Sequence, residues 1–541
     1  MAAPTKRTKT ISKGVSVIFA EALPITTNAV QMKMVMAAAA MPIVRELKFV
    51  MLSLSKLLPL CFLALSTLTA NFGASAQNLP PEIDAALSRA RIPKDAISLY
   101  VVDASASNAP PLVSHRASVP MNPASVMKLV TSVAALDLLG PAYTWQTQVL
   151  IDPAGKDGSI KDGVLNGDLI IKGGGDPKLV TERLWLLLSR VRSLGISTIN
   201  GDIVLDSSAF AVPLASVASA AAFDGEPMRP YNASPDALLI NYKASVMTFT
   251  VNAIAGVANI HYDPPLSGVL MPMTAALSSG DCNDYRSSLR ADFSDPKRIR
   301  FLGSYPKSCA ERVWPVAYAD PSAFASLAVQ GLWESMGGKL GGASRTGQAS
   351  TQAKLAFALS SPSLAEVMRD MNKFSNNVMA QQLFLTLSLN ANGGKPATFE
   401  ASRAVLAQWW KLRYGALTDM PMPVVDNGSG LSREERISAL SLARMLQSAY
   451  AAPYMPELIA SLPQTGVDGT LRRSKATAGA AHLKTGSLNN VVARAGYVDA
   501  TSLGKEGKRY VLIAIVNSES STVLAGARSV LDVLIDWTAR Q

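Results

Sequence analysis

The stretch that decides the reading of this chain is Asn122-Pro123-Ala124-Ser125-Val126-Met127-Lys128, running on through Leu129, Val130, Val133, Ala134, Leu136 and Leu138 to Gly140-Pro141. Its apolar positions recur at helical spacing, with a proline near the start and Gly-Pro at the stop. The spacing predicts a mostly buried helix with Ser125 in its first turn and Lys128 one turn on, on the same face. A serine hydroxyl is a poor nucleophile unless a base lies within hydrogen-bond reach. Buried flanks desolvate a lysine and lower its pKa, which turns it into such a base. The motif alone is cheap, because Ser-x-x-Lys also occurs at Ser53–Lys56, Ser294–Lys297, Ser304–Lys307 and Ser502–Lys505. Only the Ser125 copy opens an apolar helix.

Upstream, Ile83–Ala90 has a helical pattern, Ile97–Asp103 reads as a strand and Pro111–His115 as its hairpin mate. Downstream, residues 143–348 change texture. Short strand candidates bounded by Gly, Asp and Pro (Val149–Asp152, Asp168–Lys172, Asp202–Leu205, Val246–Val251) predict one or two β-rich inserted domains, with Ala211–Ala222 left unassigned. Helical patterning returns at Leu364–Met371, Asn376–Leu389, Thr398–Lys411 and Arg436–Tyr450. The end is again β, over Ala481–Thr485, Val491–Asp499 and Arg509–Val516, followed by a helix over Val523–Trp537. These patterns predict an α/β domain, 77–142 plus 349–541, whose terminal strands share a sheet and which a long insertion splits.

Two further motifs fall in that second part. Ser-x-Asn occurs at Ser375-Asn376-Asn377, at Ser388–Asn390 and at Ser487–Asn489; Lys-Thr-Gly occurs once, at Lys484-Thr485-Gly486, within a strand and followed by Ser487. A strand carrying Lys and Thr, with a Gly that lets backbone approach closely, suits a carboxylate and a carbonyl.

Bulk properties narrow the class. The 541 residues are 48% hydrophobic, too apolar for disorder. The formal charge is +11, but residues 1–76 hold eight Lys/Arg and two Glu, so +6 lies there and 11 − 6 = +5 in the remainder. That ordinary basic surface argues for no nucleic-acid partner. Leu57–Ala70, preceded by Lys56 and followed by Ala74-Ser75-Ala76, has the form of a secretory signal cut after Ala76, which would leave no stable membrane anchor. Export then places Cys282 and Cys309 in an oxidising compartment, where a disulfide between them would contribute roughly 3–4 kcal/mol by loop-entropy reasoning; two unpaired thiols are the alternative. His115, His261 and His482 are scattered, which disfavours a multi-histidine metal site. Nothing in the sequence specifies an oligomer.

In their order, Ser125–Lys128, Ser375–Asn377 and Lys484–Gly486 form the motif set of penicillin-binding proteins and serine β-lactamases. The long insertion makes the chain resemble the D-alanyl-D-alanine carboxypeptidase/endopeptidase family known as class C low-molecular-mass penicillin-binding proteins, over about residues 80–541. Further matches are Gly167-Asp168-Leu169, Gly173–Pro177, Gly466–Leu471 and Asp426–Arg433, the last with Asn427 as an extra residue in the expected Asp-Gly-Ser-Gly-Leu-Ser. The resemblance implies a β-lactamase/transpeptidase-like fold, an antiparallel sheet flanked by helices plus an all-helical lobe. It also implies roles: Ser125 as nucleophile, Lys128 as its base, Ser375 as proton relay, Asn377 holding substrate amide and lysine, and Lys484 with Thr485 binding the terminal carboxylate. The N–H groups of Ser125 and Ser487, beside Gly486, would form the oxyanion hole. Peptidoglycan stem peptides and β-lactams are the implied partners, with no metal and no organic cofactor. The rivals are a serine β-lactamase, disfavoured by the insertion and by the lack of a clear Glu-containing deacylation loop before Lys484, and a non-catalytic wall-binding scaffold. A cross-linking transpeptidase is disfavoured for want of an anchor or glycosyl-transfer domain.

Overall fold

The computed structural model describes residues 79–106, 108–213, 223–501 and 507–541. The signal with its cut after Ala76, the pairs Ser53–Lys56 and Ser502–Lys505, and most of Ala211–Ala222 lie outside the described residues.

Five strands build the first sheet: β1 (Ile97–Asp103), β2 (Val113–His115), β3 (Ala481–Leu488), β4 (Val491–Asp499) and β5 (Arg509–Asn517). All pairings are antiparallel and the order is β3-β4-β5-β1-β2, so the chain's first and last strands lie side by side, with Leu99 opposite Ala514. The sheet is buried on both faces, which is why β1 and β5 read as apolar runs rather than as alternating patterns. Ile97, Leu99 and Val101, with Leu512, Ala514 and Val516, pack under α1 (Pro81–Arg89) and the C-terminal helix Ser521–Ala539. Tyr100 and Val102, with Val511, Ile513 and Ile515, face the other way.

That second face meets a helical lobe: α2 (Lys128–Leu139), α3 (Leu364–Lys373), α4 (Asn377–Ala391), α5 (Phe399–Tyr414), α6 (Ala439–Tyr450) and α7 (Met455–Ser461). Every residue from Lys128 to Leu136 is buried, as is every residue from Asn377 to Ser388. A helix enclosed all round needs no polar stripe; α2 and α4 are the lobe's axis. The sequence pattern begins α6 at Arg436, whereas the helix starts at Ala439, because Ser438 caps it by accepting from the Ser441 N–H. Likewise β2 starts at Val113, not Pro111, since proline has no N–H to give the ladder.

The insertion builds a five-stranded sheet in the order 344–346, 203–206, 168–172, 146–152, 354–360, whose last strand lies past the expected end at 348 because it pairs back along 146–152, and a second in the order 305–306, 274–278, 257–263, 244–252, 312–317. Two long helices, Thr181–Ser193 and Phe324–Ser335, pack on the first sheet's core. They qualify the β-rich expectation. Leu184, Leu187, Leu188 and Val191 are the buried apolar residues of the first, a stripe at helical spacing that the neighbouring strand signals obscured. Cys282 and Cys309 form a disulfide beside the second sheet's core.

Candidate active site

Ser125 sits not in the α-helix itself but in a 3₁₀ turn, Ala124–Met127, that leads into α2. The turn is held from several sides. The Asn122 side chain accepts from the Ala124 N–H (2.8 Å) and donates to the Ser432 carbonyl (3.0 Å), while Asn122 and Asn517 exchange backbone-to-amide bonds of 2.9 Å each way. The end of β5 thereby fixes the nucleophile's position. Ala124 takes φ +46°, in the left-handed region.

Lys128 opens α2 and is completely buried. Its Nζ donates to Ser125 Oγ (3.0 Å), to Asn377 Oδ1 (2.6 Å) and to the Ser429 carbonyl. Asn377 is the first residue of α4 and sends its own amide to the Tyr231 carbonyl (3.1 Å). Ser375, at φ +57°, precedes that helix. It receives a 2.9 Å bond from Nζ of Lys484, which is also fully buried and reaches the Thr485 carbonyl (2.8 Å). Neither lysine has an ion-pair partner among the described residues. Burial, offset in part by the charge of Glu435, brings Lys128 down to about 7. Burial, and the neighbouring charge of Lys128, hold Lys484 well below the ordinary lysine range. Ion pairing normally keeps buried lysines charged; here burial without such a partner favours the neutral amine in both.

The edge strand β3 runs against the nucleophile's turn. A Cβ on Gly486 would lie 2.3 Å from the Pro123 carbonyl oxygen, so only glycine permits the approach. A Cβ on Gly430, at φ +80°, would lie 2.0 Å from the Ala124 carbonyl oxygen. Thr485 Oγ1 bonds Thr470 Oγ1 (2.7 Å), which ties the strand to the Gly466–Leu471 segment, and Lys373 pairs with Asp468 (2.6 Å) beneath it.

Ser125, Ser375, Asn377 and Ser487 line one cleft of about 380 Å³. All the predicted site residues of the three motifs therefore converge: Ser125 with Lys128 and Asn377, Ser375 with Lys484, and the Thr485–Ser487 edge closing the side. Of the other copies, Ser487 and Asn489 line the same cleft, while the remaining described ones do not take part. Lys297 and Lys307 are exposed, Ser294 turns to Asp292, and Ser388 bonds Ser402 inside the helical lobe. Cys282 and Cys309 belong to the second sheet and not to the cleft. No cluster of metal-ligating side chains occurs among the described residues.

Some lining residues carried no signal in the sequence: Phe223, Asp224 and Tyr231 come from the insertion. Leu431 and Arg433 belong to the Asp426–Arg433 match in the loop before α6, though no site role was read for them. Glu435, buried with no exposure near Lys128, is likewise invisible without the fold.

A serine hydroxyl against one buried lysine, with a second buried lysine bonded to another serine, is the arrangement of a Ser/Lys acyl-transfer peptidase of penicillin-binding type. The D-Ala-D-Ala carboxypeptidase 3 (S13) family model matches residues 79–538, and the chain belongs to that family. It is 28% identical over 493 residues to a D-alanyl-D-alanine carboxypeptidase of Actinomadura sp. (strain R39), a match that spans 86% of each chain. It is 24% identical to the D-alanyl-D-alanine carboxypeptidase DacB of Haemophilus influenzae, over 76% of this chain and 83% of that one. The crystal structure of penicillin binding protein 4 (dacB) from H. influenzae superposes with a TM-score of 0.62 at 22% identity, covering 84% of this chain and 99% of that chain, and shares the fold.

Proposed function

We propose that this chain is an exported D-Ala-D-Ala carboxypeptidase and D,D-endopeptidase that cleaves peptidoglycan stem peptides through an acyl-enzyme on Ser125. The observation that carries this reading is Lys128: fully buried, without an ion pair, 3.0 Å from Ser125 Oγ. Ser125 Oγ attacks the carbonyl carbon of the penultimate D-Ala and its proton passes to Lys128 Nζ. The peptide C–N bond breaks as a proton relayed through Ser375 reaches the leaving amine. Water then hydrolyses the ester and frees the serine. Asn377 orients the substrate amide and holds Lys128. The Ser125 and Ser487 N–H groups would receive the oxyanion, a contribution of order 3–4 kcal/mol per donor where such donors have been removed.

Lys484 and Thr485 receive the terminal carboxylate. A substrate anion supplies the counter-charge that the free site lacks, so binding draws a proton onto Lys484. β-Lactams acylate the same serine, and the H. influenzae protein has been crystallised with a β-lactam.

The division of the chain into 1–76 as leader, 77–142 with 349–541 as catalytic domain and 143–348 as insertion belongs to the same proposal, as does delivery to the periplasm or cell exterior. No helix among the described residues is long and apolar enough to cross a membrane. Glu435 does not line the cleft, which weighs against a β-lactamase reading in which a carboxylate there would activate the deacylating water. Slow release of bound penicillin is expected; rapid turnover would favour that rival. The direct test is release of free D-Ala from a D-Ala-D-Ala pentapeptide and of cleaved product from a cross-linked muropeptide, by wild type and by Ser125→Ala.

A further inference from the structure

Glu435 is the one fully buried carboxyl close to the site for which the chemistry above has no use. It lies in the segment that joins the Asp426–Leu431 loop to α6, just before Arg436 and Ile437, which bridge to Val424 and Met121. Its Oε1 accepts from the N–H groups of Asp426 (3.1 Å) and Asn427 (3.2 Å). Its Oε2 makes no hydrogen bond with any described residue. From the clamped turn the structure runs directly to the base: Asn427 Oδ1 accepts from Ser429 N (3.0 Å) and Oγ (2.6 Å), the Ser429 carbonyl receives Lys128, and the neighbouring Gly428 carbonyl receives Thr131 of α2 (2.6 Å).

Holding two N–H groups does not require an anion. A glutamine carbonyl would do it, without the larger penalty of desolvating a carboxyl. What an amide cannot supply is charge.

We propose that Glu435 is a positioning residue for Lys128: its carboxylate balances the positive charge that Lys128 gains on taking the Ser125 proton, while the same carboxyl holds the Asp426–Ser429 loop against the lysine. Glu435 takes no part in the proton transfer itself. The proton leaves Ser125 Oγ and ends on Lys128 Nζ. The charged groups that act on Glu435 are Asp426 in its own loop and Lys128 from α2, with Lys484 behind Lys128 on the edge strand. Burial, and then the Asp426 charge, push the Glu435 carboxyl up to about 7, against the pull of Lys128 and of the two N–H donors. Lys128 is brought to the same region from above, so the two groups influence each other across the pH range in which such an enzyme works.

This inference rests on Lys128 being the base, and its test is chosen to separate the two. The second-order rate of acylation by a fluorescent penicillin is measured against pH for wild type, Glu435→Gln and Glu435→Asp, with Ser125→Ala alongside. An opposite charge nearby raises a lysine pKa by about one to three units, so its loss lets Lys128 stay neutral to lower pH. In Glu435→Gln the acid limb should therefore move down by about one unit or more, while the plateau falls about ten-fold or more as proton acceptance goes unbalanced. Glu435→Asp, which keeps the charge, should keep the wild-type limb. A Glu435→Gln profile that is merely scaled down, with the limb unmoved, would reduce Glu435 to a loop clamp and overturn the proposal. Labelling of Ser125→Ala at the wild-type rate would instead overturn the reading of the site. Should Glu435→Gln fail to fold, infrared spectroscopy of the wild type serves: a buried carboxylate band that shifts on penicillin acylation is expected, and a carboxyl that stays protonated throughout the pH range of acylation contradicts the proposal.

Discussion

The reactivity proposed for Ser125 depends on what surrounds one nitrogen. Lys128 Nζ is held by a hydroxyl, an amide oxygen and a backbone carbonyl, none of them a full negative charge. With Lys128 at about 7, acylation should rise with pH through that value, because only the neutral amine can accept the serine proton. A rate that does not change between pH 6 and 8 would contradict a lysine base. Lys484→Ala should weaken carboxylate-bearing substrates most and an uncharged ester analogue least, a difference read in kcat/KM. Gly486→Ala tests the close approach of strand and turn. Its methyl would press on the Pro123 carbonyl and on the Ala493 and Ala124 side chains, so the strand must shift away. Penicillin acylation should fall at least ten-fold with a stability loss of about 1–3 kcal/mol.

At the scale of elements, β4 carries Arg494 in an otherwise apolar strand, and its guanidinium meets Asp532 of the C-terminal helix at 2.5 Å. Both side chains are largely buried, so Asp532→Ala leaves an uncompensated buried cation and should cost about 3–5 kcal/mol in denaturant unfolding. Burial pushes Asp532 up, but Arg494 and the Ser474 and Lys475 donors outweigh it and hold the carboxyl below its ordinary value. A carboxyl depressed on folding stabilises the protein above its unfolded pKa, and that share is lost as pH falls below about 4 through the folded value. Asp532→Asn should flatten this acid limb of the stability curve; an unchanged limb would assign it to other groups.

The elements also show how much the sequence disclosed. Strands β1 and β4 were legible as short apolar runs and the longer helices of the lobe by their helical spacing, whereas the seven-residue α7 is too short to show a period and was not foreseen. The nucleophile's helix was legible by the same spacing, but its 3₁₀ entry was not, since Asn122's bonds to Ser432 and Asn517 are made across some 310 and 395 residues. The Asp426–Arg433 segment was noticed, but Arg433's place in the cleft was not, and Glu435 stayed hidden altogether: its burial near Lys128 is wholly tertiary, and a charged Arg-Glu-Glu-Arg run reads as surface. Phe223, Asp224 and Tyr231 stayed hidden because no local period marks a loop that reaches a distant cleft.

Across the whole molecule, the catalytic sheet and lobe enclose the lysines, and the insertion adds two five-stranded sheets with their own cores beside smaller ones. The disulfide lies in the second of these, away from the residues that line the cleft. Replacing Cys282 and Cys309 with Ala should therefore lower the stability of that region by roughly 3–4 kcal/mol while D-Ala release from a short peptide stays unchanged. Loss of short-peptide turnover at temperatures where the variant remains folded would show that the insertion governs the catalytic cleft itself. The claim on which everything else stands is that Ser125 is the nucleophile of a D-Ala-D-Ala peptidase. Free D-Ala released from a D-Ala-D-Ala pentapeptide measures it most directly. Wild type should release D-Ala and Ser125→Ala should release essentially none. Equal release by both proteins would contradict the account.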